Sequence, residues 1–127
     1  MIVVDASAVV AALLHVGPAR SLLREETLVA PHLLDVEVAS VLRRLDLRKA
    51  LPGDLPVDPL EVFRRLGIRR FPHAPLLGRV WQLRANLSAY DATYVALAEA
   101  LGCALLTADR RLAAAPGPRC PIQRLPG

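Results

Sequence analysis

The sequence has no apolar run long enough to cross a membrane, although 54% of its residues are hydrophobic and its mean hydropathy is +0.36. Charged residues interrupt each run well before the roughly 18 residues that a membrane span needs. No basic segment opens the N-terminus, and Asp5 lies inside the first apolar run, which argues against a signal peptide. We therefore expect a cytoplasmic protein with no membrane partner.

Cysteine and aromatic residues are also scarce. Cys103 and Cys120 are the only cysteines, too few for a disulfide framework and without the spacing of a zinc site, so we expect reduced thiols in the core. Aromatic residues make up 4% of the chain, which is sparse for the stacking surfaces on which RNA-binding modules hold bases. A pure binding module is therefore less attractive than an enzyme.

The basic residues are almost all arginine. Lys49 is the one lysine among 16 basic residues, and with 12 acidic residues the net charge is +4. Arginine binds phosphate through paired hydrogen bonds, so this excess favours a polyanionic partner such as nucleic acid. GC-rich codon usage would give the same abundance of arginine, so charge alone does not identify the partner.

Short apolar segments alternate with helical patterns along the 127 residues, a length that fits one domain over residues 1–127. The residues rich in Pro and Gly at 51–59 predict a loop. Alternating strands and helices predict an α/β fold of three layers, α/β/α, with a mainly parallel sheet of four to five strands. The predicted strands are 2–6, 27–30, 68–71, 103–106 and 121–125, and the predicted helices are 9–14, 18–24, 33–49, 60–66, 75–86 and 88–101.

Three aspartates lie where a predicted strand ends or a predicted helix begins. Asp5 follows the first strand, Asp109 follows the fourth, and Asp91 comes three residues after Ser88 in a pattern that resembles a capping box. Ligands of parallel α/β sheets bind beyond the carboxyl ends of the strands. Each aspartate could also be a simple helix cap, so individually they do not require catalysis.

Glu37 has no such capping role, because it lies inside the predicted helix 33–49 on the same face as Leu34 and Val41. A carboxylate on an apolar stripe is costly to bury unless it is paired or binds a metal. No basic residue lies three or four positions before it, and Arg44, seven positions later, is the remaining candidate for an ion pair. Glu37 therefore favours a functional site.

Together the four acids predict a metal site. Clustered carboxylates raise one another's pKa and become protonated unless a divalent cation holds them ionised. Oxygen ligands without a His/Cys set favour Mg²⁺ or Mn²⁺, and we interpret the scattered His15, His32 and His73 as surface or capping residues.

Phosphodiester hydrolysis is the chemistry that suits such a metal site. The sequence offers no Ser/His/Asp relay and no Cys beside a His that would provide another nucleophile. We expect the hydroxyls of Ser7 and Thr107 to orient the carboxylates or metal-bound water, although a local strand-end hydrogen bond is equally compatible with Thr107.

Other folds with clustered acids fit less well. A receiver-like signalling domain needs a lysine near a late strand, whereas Lys49 precedes the predicted third strand. A phosphatase with an aspartyl nucleophile needs a second acid two residues after the first, where this chain has Ser7. A dinucleotide-binding domain would carry GxGxxG after its first strand, and this sequence does not.

Four segments, in this order, resemble the VapC toxins of bacterial toxin–antitoxin systems, which are PIN-domain endoribonucleases. They are IVVDAS at 2–7, LLDVEV at 33–38, YDATYVALA at 90–98 and LTAD at 106–109. The resemblance runs nearly from end to end, and the combination of YDA with TAD is its most specific part. The loop at 51–59 departs from the pattern, because relatives are often more regularly helical there.

The resemblance implies a PIN-like domain that cuts RNA with Mg²⁺ or Mn²⁺, commonly in exposed loops of tRNA or rRNA. It makes Asp5, Glu37, Asp91 and Asp109 the catalytic and metal-binding quartet. It further implies a homodimer and a cognate VapB antitoxin. The alternative is a catalytically silent PIN-like module that binds RNA or protein.

Four arginines near the predicted site are candidates for phosphate contacts: Arg43, Arg44, Arg110 and Arg111. Their alternative is a solvated helix face, and we expect that alternative for at least half of them. Removal of a true phosphate contact would flatten the salt dependence of RNA binding.

Overall fold

A computed structural model describes residues 1–126. A 3-10 turn at Ala74–Leu76 precedes the fifth α-helix. In chain order the other elements are β1 (Ile2–Val4), α1 (Ala6–Leu14), α2 (Pro18–Glu25), β2 (Leu28–Pro31), α3 (Leu33–Leu47), α4 (Pro59–Arg65), β3 (Arg69–Phe71), α5 (Leu77–Gln82), α6 (Ala89–Leu101), β4 (Ala104–Thr107), α7 (Arg110–Ala114) and β5 (Ile122–Arg124).

The five strands form one parallel sheet in the order β3-β2-β1-β4-β5, which confirms the predicted α/β/α fold. Ile2 of β1 pairs with Leu28 of β2 on one side and with Ala104 of β4 on the other. The strand order thus reverses beside β1, and Asp5 and Asp109 follow the two strands that meet there. A reversal of this kind opens a crevice at the carboxyl ends of the strands.

Two helices bring further residues to the same edge of the sheet. Helix α3 follows β2 and helix α6 leads into β4, so both helices begin at the carboxyl edge. The N–H of Leu33 donates to His73 Nε2 at 2.8 Å, so this histidine caps α3, as predicted. Helix α6 is buried along most of its length, from Ala92 to Ala98, and forms part of the core. The buried stretch begins directly after Asp91, so the core fixes the helix on which Asp91 lies.

The predicted helix over 75–86 is wrong in its last four residues, because α5 ends at Gln82 and residues 83–86 form turns. Hydrogen bonds between residues three apart tighten the chain there: the N–H of Arg84 donates to the Trp81 carbonyl, and that of Asn86 to the Leu83 carbonyl. These turns still bury the apolar positions Leu83 and Leu87. Apolar residues at helical spacing therefore mark buried positions here, although the chain does not form a helix over the whole segment.

The predictions for the loop at 51–59 and for the two cysteines are met. Residues 51–57 contain no helix or strand, and Asp58 caps α4. Cys103 and Cys120 are free thiols packed against the core, as predicted. Across residues 1–126 no single helix is long and apolar enough to cross a membrane; α1 and α2 meet that test only as a pair bent by 111°.

Candidate active site

Asp5 is buried at the end of β1, with 6% of its surface exposed. It is the N-cap of α1, where its Oδ1 accepts from the N–H of Ala8 at 2.9 Å. The capping role considered for Asp5 is therefore present. A cap, however, can lie at the surface, whereas this carboxylate is buried at the end of the strand beside which the strand order reverses.

Two hydroxyls hold the same carboxylate. Ser7 Oγ donates to Asp5 Oδ1 at 2.6 Å, and Thr107 Oγ1 donates to Asp5 Oδ2. Thr107 Oγ1 in turn accepts from the N–H of Asp109 at 3.0 Å, while Ser7 Oγ accepts from the N–H of Ala108 at 2.9 Å. The end of β4 is thus tied to Asp5, and both hydroxyls lie where orientation of the carboxylate requires them. Their catalytic role stays a prediction.

Glu37 lies in the second turn of α3 and is partly buried. Its Oε1 accepts a hydrogen bond of 2.5 Å from the hydroxyl of Tyr94 on α6. Among residues 1–126 it forms no ion pair, so the alternative of a pair with Arg44 is wrong. The cause is geometric: Arg44 lies on the exposed face of α3, two turns beyond Glu37.

Asp91 and Asp109 face a cavity of about 320 Å³. Asp91 lies in the first turn of α6, which Ser88 caps through its Oγ, the acceptor for the Asp91 N–H at 3.1 Å. Asp109 caps α7, its Oδ1 accepting from the N–H of Arg111 at 2.8 Å. The cavity lining comprises Asn86, Leu87, Ser88, Asp91, Asp109, Arg111 and Leu112.

Electrostatic interactions connect the four carboxylates. Burial raises the pKa of Asp5, and the charge of Asp91 raises it further, against the lowering effect of its hydrogen bonds. Burial likewise raises the pKa of Glu37, to which Asp91 and Asp5 add. The pKa of Asp91 is raised by burial first and by Asp109 second. Burial is thus the main cause of the raised pKa values, and repulsion between the carboxylates adds to it.

The donor atoms fit a hard divalent cation, since all four residues offer carboxylate oxygens. None of the four forms an ion pair within the described residues. Over residues 1–126, however, no three His, Cys, Asp or Glu side chains lie close enough together to hold one metal ion. The fold therefore gathers the quartet at one edge as separate, mutually repelling groups, and its role as a metal site stays a prediction.

The four candidate phosphate contacts do not share one location. Arg111 lines the cavity beside Asp91 and Asp109, and its charge lowers the pKa of Asp91. Arg110 is exposed next to it at the start of α7. Arg43 lines a separate cavity with Leu42, and Arg44 is exposed on α3. The structure therefore keeps Arg110 and Arg111 near the carboxylates and places Arg43 and Arg44 elsewhere.

Tyr94 is the site residue that sequence reasoning missed. It is 1% exposed and is among the largest fully buried side chains. Its position three residues after Asp91 puts both on one face of α6, so the helical spacing could have indicated it. Its pKa lies far above the ordinary value because burial and the adjacent Glu37 carboxylate oppose ionisation. The hydroxyl therefore stays protonated and donates its hydrogen bond to Glu37.

Comparison with known proteins matches this architecture. The PIN domain family model matches residues 2–118. The chain is 55% identical over 126 residues to VapC ribonuclease Mb0985 of Mycobacterium bovis and to ribonuclease VapC9 of Mycobacterium tuberculosis, with 99% of each chain covered. It is 48% identical to ribonuclease VapC1 of M. tuberculosis, with 95% of each chain covered.

Two solved structures share the fold. PAE2754 from Pyrobaculum aerophilum superposes with a TM-score of 0.66 at 28% identity, covering 95% of this chain and 81% of that one. M. tuberculosis VapC20, described as a toxin that cleaves the sarcin-ricin loop, superposes with a TM-score of 0.64 at 22% identity, covering 90% and 94%. The chain therefore belongs to the PIN-domain family and, within it, to the VapC ribonucleases.

Proposed function

We propose that this chain is a divalent-metal-dependent endoribonuclease that acts as the toxin of a type II toxin–antitoxin system. One observation carries the proposal. Asp5, Glu37, Asp91 and Asp109 lie at one edge of the sheet, and burial and neighbouring carboxylates raise the pKa values of the first three. A fold retains such uncompensated charge when the charge serves binding or catalysis. The names of the VapC relatives support the same reaction.

Asp5, Glu37, Asp91 and Asp109 would hold Mg²⁺ or Mn²⁺, with Asp5 and Asp91 as the principal ligands. A bound ion supplies the charge that activates water and stabilises a phosphate undergoing hydrolysis. The chain's own contribution is orientation. Ser7 and Thr107 hold both oxygens of Asp5, and the cap of α7 holds Asp109 beside the cavity. Positioned ligands of this kind lower the reorganisation that the reaction requires.

The proposed substrate is a structured RNA, cut in an exposed loop of the kind found in tRNA or rRNA. Arg111 at the cavity rim is suited to bind a phosphate beside the scissile bond. The cavity beside Asp91 and Asp109 is open to solvent, as a splayed loop would require, and VapC20 is described as cleaving the sarcin-ricin loop. Sequence-specific recognition would then depend on the shape of the loop.

We further propose a cytoplasmic homodimer inhibited by a VapB-type antitoxin. An apolar groove of about 320 Å³ lies between α1, α2 and α4, with Leu23 and Val62 among its walls and Arg20 and Arg24 at its side. An apolar peptide segment with nearby acidic residues would match this surface. The breaker-rich loop 51–59 contributes Leu55, Pro56, Val57 and Pro59 to the lining, so it would shape antitoxin selectivity.

A cleavage assay with the purified chain and a total-RNA pool, with Mn²⁺ or with EDTA, tests the function. Sequencing of the new RNA ends should show discrete metal-dependent cuts, which Asp5→Asn abolishes. The exposed Asp54, in the loop 51–59, provides the matched control Asp54→Asn, which should cut like the unaltered chain. RNA that is bound but never cut would reject the nuclease assignment and favour the silent binding module.

A further inference from the structure

We propose that Tyr94 is the residue that positions Glu37 in the acidic site, an inference that rests on the proposed function. The hydroxyl of Tyr94 donates to Glu37 Oε1 at 2.5 Å across 57 positions of sequence. Tyr94 is 1% exposed and does not line the cavity beside Asp91 and Asp109. It therefore acts through Glu37 and is a positioning residue.

The hydrogen bond is the sole one that the Tyr94 hydroxyl makes among residues 1–126. A buried phenol requires a partner, since an unmatched hydroxyl would lose its hydrogen bonds to water without replacement. Tyr94 belongs to the buried hydrophobic core, together with Val95 and Leu97 of the same helix. The packing therefore determines where the hydroxyl lies, and the hydroxyl determines where Oε1 of Glu37 lies.

Glu37 has no other anchor. Within the described chain no second donor contacts its carboxylate and no cation pairs with it. The neighbouring charges of Asp5 and Asp91 repel it, and a flexible glutamate on a helix could otherwise turn toward solvent. The Tyr94 hydroxyl thus opposes that repulsion through Oε1 and leaves Oε2 without a protein partner among residues 1–126.

The same contact joins two helices of the site. Tyr94 lies three residues after Asp91 on α6, whereas Glu37 belongs to α3. Glu37 therefore receives its position from the helix that carries Asp91, and the two carboxylates are placed by one rigid, buried element. Loss of the hydroxyl should release Glu37 while Asp91 stays in place.

Tyr94→Phe removes only the hydroxyl oxygen, and Tyr90→Phe makes the same change at a residue that is 60% exposed. Titration with Mn²⁺ alone, followed by the loss of the free-ion EPR signal, measures metal affinity without turnover. Tyr94→Phe should weaken Mn²⁺ binding by about 10- to 100-fold, the usual cost of removing a group that orients a ligand. Tyr90→Phe should bind like the unaltered chain.

A double-mutant cycle with Glu37→Gln separates positioning from general damage. Because Tyr94 is proposed to act only through Glu37, Tyr94→Phe should cost far less Mn²⁺ affinity in the Glu37→Gln background. Full additivity would overturn the inference. If the unaltered chain binds Mn²⁺ and cuts RNA while Tyr94→Phe matches Tyr90→Phe, the inference fails alone; if the unaltered chain neither binds nor cuts, the proposed function fails with it.

A second measurement does not depend on the folding of Tyr94→Phe. The chain has two tyrosines, so 3-fluorotyrosine labelling should give two ¹⁹F NMR signals, assigned by Tyr90→Phe. Glu37→Gln should shift the signal of Tyr94 and leave that of Tyr90. An unmoved Tyr94 signal would show that the hydroxyl does not depend on Glu37 and would overturn the inference.

Discussion

The two ends of helix α6 carry carboxylates in opposite circumstances. Asp91, at its beginning, forms no ion pair among the described residues, and burial and Asp109 raise its pKa. Glu99, near its end, accepts from Arg79 Nε at 2.7 Å and from the Arg119 N–H at 2.8 Å. Burial alone would raise the pKa of Glu99, but these hydrogen bonds together lower it.

The difference separates a structural charge from a functional one. The Arg79–Glu99 pair ties α5 to α6, and Arg79 also donates to the Gly117 carbonyl at 3.0 Å, holding the segment before β5. Asp91 makes no comparable ion pair within the described residues, and burial and Asp109 raise its pKa more than Ser88 and Arg111 lower it. An acid that a protein keeps at a cost in stability is expected to serve binding or catalysis.

The largest expected effect is on RNA cleavage. Asp91→Asn should lower the Mn²⁺-dependent cleavage rate by at least about 100-fold, because it removes charge that the reaction needs. Glu99→Gln, at the other end of the same helix, should keep the rate within a few-fold under conditions where it is folded. Single-turnover cleavage of a mapped RNA measures both, and equal losses would erase the distinction between the two ends.

Stability should respond in the reverse order. Glu99→Gln should lower the free energy of unfolding by about 1–2 kcal/mol, the range for weakening hydrogen bonds between charged groups. Asp91→Asn should leave it unchanged or raise it when EDTA is present, because a repelling charge is gone. Urea unfolding followed by circular dichroism measures both variants. Destabilisation by Asp91→Asn in EDTA would mean that the carboxylate supports the fold.

The pH dependence of stability should sharpen the contrast. The raised pKa of Asp91 means that its charge destabilises the folded state fully above that pKa, and the penalty disappears as the pH falls below the unfolded value. The lowered pKa of Glu99 has the opposite sign: its stabilisation is present above the unfolded value and is lost as the pH falls through the folded pKa.

Urea titrations in EDTA from about pH 2 upward cover both windows, because the Glu99 window lies below the ordinary glutamate pKa. The advantage of Asp91→Asn over the unaltered chain should grow as the pH rises, whereas the deficit of Glu99→Gln should grow from acid pH toward neutrality. Parallel curves for the two variants would contradict the assignment of opposite pKa shifts.

The smallest effect concerns the arginines. Arg111→Gln should weaken RNA binding several-fold and reduce the slope of log affinity against log salt by about 1, since it removes one phosphate contact. Arg43→Gln, on the separate cavity of α3, is the matched control and should leave the slope unchanged. Filter binding to an RNA in EDTA, over a range of salt, measures both. A lower slope for Arg43→Gln alone would show that the RNA contacts α3 and not the cavity at Arg111.

Most of the fold could be predicted because its signals are local. The β-branched run at 2–4, the breakers at 51–59 and the alternation of strands with helices depend on neighbouring residues only. The helix over 75–86 failed for the converse reason. Its apolar spacing was correct, but tight turns after Gln82 bury Leu83 and Leu87 just as a helix would.

The sequence by itself determined most of the strands and helices, the four acids and the resemblance to a family. Only the tertiary structure decided which basic residues accompany those acids, that Arg44 does not neutralise Glu37, and that Tyr94 binds it. Ion pairs and buried hydrogen bonds join residues that are distant in sequence, as Tyr94 and Glu37 are across 57 positions. Such contacts depend on the direction of side chains in the packed chain, which no local pattern encodes.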